Sequence, residues 1–108
     1  MSYSLRQQMS LEGRVAVITG SANILGPQFA AALAEFGAQL ALVDIDGEGC
    51  ERVAREIRES YGTGAIAIEA DVANEQAVSD MVHRVQSDFG RIDVLVNAAA
   101  TKSPHYFK

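Results

Sequence analysis

Hydrophobic positions fall into short continuous runs that alternate with longer stretches of helical periodicity. Arg14 to Thr19 (RVAVIT) is an uninterrupted, β-branched run closing on a glycine, the pattern of a strand buried on both faces. Pro27 to Phe36 is rich in alanine and leucine and stops at Gly37, as a helix does at a C-terminal glycine. Gln39 to Val43 reads as a second strand that ends at Asp44. From Gly47 to Tyr61, Val53, Ala54 and Ile57 recur at helical spacing among charged residues, and Gly62 ends the segment. Ala65 to Glu69 is a weaker third strand. Asn74 is suited to cap a helix that turns Ala77, Val78, Met81, Val82, Val85 and Phe89 inward and stops at Gly90. Ile92 to Val96 is a fourth strand.

This β-α-β-α-β-α-β order predicts an α/β fold: a Rossmann-type three-layer α/β/α arrangement around a partial doubly wound parallel sheet. With right-handed crossovers the strands should lie in the order 3-2-1-4. Residues 1–12 read as an N-terminal tail, 13–100 as one half-domain and 101–108 as the start of a loop.

Composition and charge narrow the function. Hydrophobic residues make up 48% and charged residues 21% of the 108, ordinary for a globular domain. A net charge of -5 with no basic run argues against a nucleic-acid or anionic-membrane partner. Cys50 is the single cysteine, so no internal disulfide can form, which fits a reducing compartment. Residues 1–12 carry no apolar signal-peptide core, and no run is long enough to span a bilayer. A cytoplasmic protein is expected.

Ligands of open α/β sheets bind beyond the carboxyl ends of the strands. Those four ends carry Gly20, Asp44, Asp71 and Asn97, one polar or glycine residue per βα unit. Any of them alone could be an ordinary turn residue. Together they outline a site. The first turn, from Thr19 to Pro27, leads from a strand through glycines into a helix. There, backbone N–H groups and the helix dipole can meet a pyrophosphate. Gly20 permits the sharp turn, Gly26 lets the helix approach the sheet, and Pro27 lies where its missing N–H does no harm.

The segments TGSANILG, LVDID, ADV and DVLVNAAA, in this order and spacing, resemble the short-chain dehydrogenase/reductase family over residues 11–100. The resemblance implies NAD(P) binding by a phosphate motif TGxxxGxG and a cofactor-side element NNAG. Two positions depart from it: Ile24 stands at the middle glycine, and Asn97-Ala98-Ala99-Ala100 replaces NNAG. Against the extended epimerase-like subgroup, TGxxGxxG, the departure falls on Asn23 instead. Asparagine tolerates the left-handed conformation better than a β-branched residue. Asn23 is therefore expected to take the glycine's left-handed role and cap the helix, with the Ile24 side chain pointing into the protein. Ser21, Leu25, Ile45, Ala98 and Ala99 join Gly20, Asn23, Ile24 and Gly26 as expected cofactor contacts.

Asp44 lies about 20 residues past the glycine turn, where a carboxylate can accept hydrogen bonds from the adenosine ribose. No Arg or Lys stands at Ser21, Ala22, Ile45 or Asp46 to meet a 2′-phosphate, so NAD is favoured over NADP. The bland reading is that Asp44 or Asp46 only caps the next helix. Asp71 and Val72 resemble the family's adenine-contacting pair. Asn97 would approach the cofactor ribose, or else act as a structural amide to a neighbouring strand. His83 reads as a surface residue, His105 has no second ligand near it, and no metal is expected. Cys50 opens a helix that could stabilise a thiolate, although a spectator role suits it better. The Glu51, Arg52, Arg55, Glu56, Arg58 and Glu59 cluster reads as a solvated helix face.

The family's catalytic pair is a tyrosine and a lysine four residues later, with an upstream serine. Tyr3, Tyr61 and Tyr106 are not followed by lysine at that spacing, so no catalytic residue is assigned. Family members run to roughly 250 residues. The chain is thus expected to be a truncated, inactive cofactor-binding part, which would self-associate through its strand-four edge or behave as an unstable fragment. The complete protein would be a homo-oligomer that moves hydride between nicotinamide and a small alcohol or ketone. Alternatives are a nucleotide-sugar epimerase or dehydratase and a non-catalytic NAD-binding module. A methyltransferase shares the glycine turn but not the TG…NAAA combination.

Overall fold

A computed structural model describes residues 8–98 of the chain. Four strands, β1 (Val15–Thr19), β2 (Gln39–Asp44), β3 (Ala65–Glu69) and β4 (Val94–Asn97), alternate with three helices, α1 (Gly26–Glu35), α2 (Gly47–Tyr61) and α3 (Glu75–Phe89). The strands form one all-parallel sheet in the order β3-β2-β1-β4, as the sequence predicts. Register pairs Ile18 with Leu42 on one side of β1 and with Val96 on the other.

Alternation along each strand divides the core into two. Ala16, Ile18, Leu40 and Leu42 face α1 and α2, where they meet Ala30, Ala34, Val53, Ala54 and Ile57. Val15, Val17, Ala41, Val43 and Ile68 face the opposite layer and pack on Met81 and Val85 of α3. Every residue of β1 is buried, which accounts for the unbroken apolar run. Each fully buried valine, leucine or isoleucine contributes roughly 1.5–3 kcal/mol, so the central pair of strands anchors the domain.

Helix ends follow local chemistry. Asp46 caps α2 by accepting from Gly49 N–H at 2.9 Å, and Asn74 caps α3 by accepting from Ala77 N–H at 2.9 Å. Gly62 and Gly90 close these helices in the left-handed region, with φ of 70° and 81°. Of the side chains expected inward on α3, Met81 and Val85 are buried, while Val78, Val82 and Phe89 pack at the margin of the core.

Boundaries shift where side chains intervene. Helix α1 begins at Gly26 and ends at Glu35, and β2 includes Asp44. Strand β4 starts at Val94, two residues later than Ile92, because Asp93 meets β1 through its side chain as well as its backbone. Its carboxylate accepts from Val15 N–H at 2.9 Å, and its own N–H donates to Val15 O at 2.8 Å. Leu11, expected in the tail, packs against the α1/α2 side of the core and donates its N–H to Phe36 O at 2.7 Å. No helix among the described residues is long and apolar enough to cross a membrane.

Candidate functional site

Three adjacent strands, β2, β1 and β4, deliver their carboxyl ends to one rim of the sheet. The turn after β1 is built from the constraints its glycines satisfy. Gly20 turns with φ of 75°, a conformation that disfavours side chains. A Cβ on Gly26 would lie 2.6 Å from Ser21 Cα and 2.8 Å from Ser21 C, inside backbone that cannot yield. Glycine at both positions therefore lets α1 start directly against the turn.

Ser21 is fully buried, and its hydroxyl is committed: it donates to Ile18 O and accepts from Val43 N–H at 3.0 Å. Its backbone N–H also donates to Val43 O. Ser21 thus fastens the turn to β2, with its side chain buried and its one hydroxyl proton already donated. Ala22 N–H donates to Asp44 Oδ2 at 3.1 Å, which brings the β2 carboxylate to the glycine turn. The other oxygen of Asp44 accepts from Asp46 N–H at 3.0 Å. Helix α2 is capped by Asp46, so capping explains Asp46 and not Asp44.

Two expectations at the turn need correction. No residue other than glycine has a positive φ among the described residues, so Asn23 is not left-handed. Its side chain nevertheless serves the helix: Oδ1 accepts from Leu25 N–H at 3.1 Å and Gly26 N–H at 2.8 Å. The side chain of Leu25, at the cap position itself, makes no cap hydrogen bond. The Ile24 side chain points outward and is 85% exposed. With Asn23 bent over the helix start on ordinary backbone, the next side chain is directed off the sheet rim.

Strand β4 completes the group. Asn97 accepts a hydrogen bond at Oδ1 from the Thr19 hydroxyl, 2.8 Å away on β1, a side-chain partner rather than the neighbouring strand's backbone. Ala98 O accepts from Asn23 Nδ2 at 2.6 Å. Gly20, Asn23, Gly26, Asp44, Asn97 and Ala98 therefore form one bonded assembly. Asp71 and Val72 lie in an exposed turn after β3, where Asp71 Oδ1 accepts from Ala73 N–H at 2.9 Å. They have no hydrogen bond to the assembly among the described residues. Ile45 projects from the end of β2 at 71% exposure. Ala99 lies outside the described residues, as does His105.

Several contributors escaped the sequence reading. Thr19 was legible only as the end of a strand, though its hydroxyl beside the turn glycine is the signal that points to it. Gly49 brings α2 close to the turn, since a Cβ there would lie 2.7 Å from Ala22 Cβ. Arg58, read as one of a solvated cluster, donates to Ala65 O at 2.6 Å and tethers the end of α2 to the start of β3. Cys50 lies beneath the site. Burial first, and then the carboxylates of Asp44, Asp46 and Glu69, push its thiol up to about 12, and any benefit from the helix N-terminus is overridden.

A family profile for short chain dehydrogenases matches residues 14–108. The chain belongs to the short chain dehydrogenase family. D-threitol dehydrogenase of Mycolicibacterium smegmatis is 42% identical over 91 residues, which make up 82% of this chain and 34% of that enzyme. Among solved structures, L-sorbose reductase from Gluconobacter frateurii, complexed with NADPH and L-sorbose, superposes with a TM-score of 0.83 at 38% identity. It covers 88% of this chain and 36% of the reductase. The 3-ketoacyl-(acyl-carrier-protein) reductase of Brucella melitensis, complexed with NADH, gives a TM-score of 0.72 at 42% identity over 80% of this chain and 34% of that one. This short chain dehydrogenase sequence spans about a third of the length of these relatives.

Proposed function

We propose that this chain is the cofactor-binding part of an NAD-dependent oxidoreductase acting on an alcohol or ketone. The observation that carries the reading is the hydrogen bond from Ala22 N–H to Asp44, which holds a carboxylate at the edge of the glycine turn. The residues present fit a dinucleotide. Gly20 and Gly26 add no side chain of their own at the start of α1, where backbone N–H groups favour phosphate. Asp44 is placed to accept from ribose hydroxyls. Ile45 and Val72 are exposed apolar side chains at the ends of β2 and β3, suited to an adenine ring. Asn97, fixed through Thr19, would face the second ribose.

When bound, nicotinamide supplies the hydride chemistry, and the protein supplies position and electrostatics. The 108 residues hold no Tyr-x-x-x-Lys, so we expect this polypeptide to bind dinucleotide without turnover. In the whole protein we expect a small-molecule substrate, a homo-oligomer and a cytoplasmic location, the last in keeping with Cys50 as a free thiol.

NAD is the favoured cofactor, because a 2′-phosphate would meet the Asp44 charge, and like charges set together cost several kcal/mol. Calorimetric titration of NAD and NADP tests this. NAD should bind saturably and at least about tenfold tighter than NADP. Asp44→Asn should shrink that ratio by weakening NAD and relieving NADP. Equal affinities for the two in the wild type would overturn the NAD assignment, and an absence of saturable binding would overturn the dinucleotide reading itself.

A further inference from the structure

We propose that the Asn23 carboxamide competes with the cofactor's pyrophosphate for the same backbone donors, so that Asn23 sets dinucleotide affinity. The inference rests on the dinucleotide reading above and adds a residue role to it. Three contacts carry it. Asn23 Oδ1 takes both Leu25 N–H, at 3.1 Å, and Gly26 N–H, at 2.8 Å. These are N–H groups at the start of α1, the part of such a helix that receives phosphate in this class of site. The third contact, Nδ2 to Ala98 O at 2.6 Å, fastens the carboxamide across the rim to the segment after β4. A phosphate oxygen can accept from Leu25 or Gly26 only if the carboxamide swings away.

That movement breaks the tie to Ala98 as well, so binding at the turn loosens the link between α1 and the end of β4. Asn23 is itself exposed at the rim, so the carboxamide has solvent to swing into. The exchange is favourable, since hydrogen bonds to a charged acceptor are roughly twice as strong as neutral ones. Each dinucleotide nevertheless binds against the bonds that Asn23 gives up.

The test compares the wild type with Asn23→Ala and Asn23→Asp in the protein at its full natural length, with NAD, ADP and adenosine as probes. Asn23→Ala should bind NAD and ADP about three- to tenfold tighter, the equivalent of one or two modest hydrogen bonds. Its affinity for adenosine, which has no phosphate, should not change. Asn23→Asp keeps an acceptor over the helix but sets a charge against the pyrophosphate, so it should weaken NAD by about tenfold or more. In the wild type itself, NMR should show the Asn23 side-chain amide resonances shifting and losing exchange protection as NAD saturates. This readout decides the matter even if a variant folds poorly. Equal or weaker NAD binding by Asn23→Ala, an equal gain for adenosine, or unmoved Asn23 resonances in the NAD complex would each overturn the competition. Failure of NAD to bind the wild type and both variants would instead remove the dinucleotide reading on which it stands.

Discussion

At the scale of single residues, Ser21 and Gly26 separate what builds the turn from what meets a ligand. Ser21→Ala would remove the hydroxyl that bridges Ile18 O and the buried Val43 N–H, at a cost of about 0.5–1.5 kcal/mol. Chemical denaturation should show that loss while NAD affinity in the folded protein stays within about twofold of wild type. A large affinity loss at unchanged stability would return Ser21 to the binding set. Gly26→Ala should be the harsher change, destabilising by about 1–3 kcal/mol or more, because the new methyl group meets the Ser21 backbone and not a movable side chain. The strand ends themselves could be read from the sequence, because each apolar run stops at or beside a glycine or a polar residue. Ile24 could not. An apolar residue is expected inside, yet a rim residue follows the backbone, and that depends on how Asn23 reaches the helix start. Cys50 shows the same dependence, since its helix-opening position suggests a lowered thiol and its burial beside three carboxylates gives a raised one. Because the folded thiol titrates near 12 and the unfolded one near 9, its contribution to stability is complete below pH 9 and declines as pH rises towards 12. Cys50→Ala should flatten alkaline unfolding over that interval, and wild-type Cys50 should react with thiol reagents at neutral pH only as fast as the domain opens. Rapid, stoichiometric labelling of the folded protein would refute this.

At the scale of elements, helices were more legible than strands. The stops at Gly62 and Gly90 and the cap at Asn74 are local matters, settled by residues within one turn of each other. Asn74→Ala should therefore cost about 0.5–2 kcal/mol, read as a lower midpoint in thermal or urea unfolding. An unchanged midpoint would mean that tertiary packing alone holds the start of α3. The cap of α1 is different. Asn23 stands two residues before the formal cap position and also spans to Ala98, far away in sequence. Periodicity cannot report such a partnership. The onset of β4 is non-local too, since Ile92 is apolar enough to belong to a strand, but the pairing chemistry passes to Asp93. One exposed side chain marks where local reading ends. Leu95 aligns with the buried Val17 on the α3 face of the sheet and is 65% exposed, because α3 covers β1 and β2 but leaves β4 at the edge.

At the scale of the whole molecule, the site draws on β4 staying paired with β1, and one carboxylate bonds across the start of that junction. Asp93 accepts from Val15 N–H on β1 and from Arg91 at 2.7 and 2.8 Å, with Arg14 at 3.5 Å. The Arg91 hydrogen bonds first, and then the Val15 N–H, hold its carboxyl down at about 2, below the usual 3.8. The fold thus favours the ionised form. Its contribution is present in full above pH 4 and declines as pH falls from there towards 2. Acid should therefore unfasten the start of β4, and the Asn97–Thr19 and Ala98–Asn23 bonds lie at the other end of the same four-residue strand. Loss of dinucleotide affinity and loss of the β1–β4 pairing should then proceed together between pH 4 and 2. Asp93→Asn separates charge from shape, since an amide oxygen can still accept from Val15 N–H but has no proton to gain in that range. At neutral pH the variant should be less stable than wild type, and its stability should fall less steeply between pH 4 and 2, as followed by circular dichroism along an acid titration. Parallel acid curves for the two proteins would show that other carboxylates govern the junction. The reach of the site would then have to be sought in packing along the sheet and not in the charge that pins its last strand.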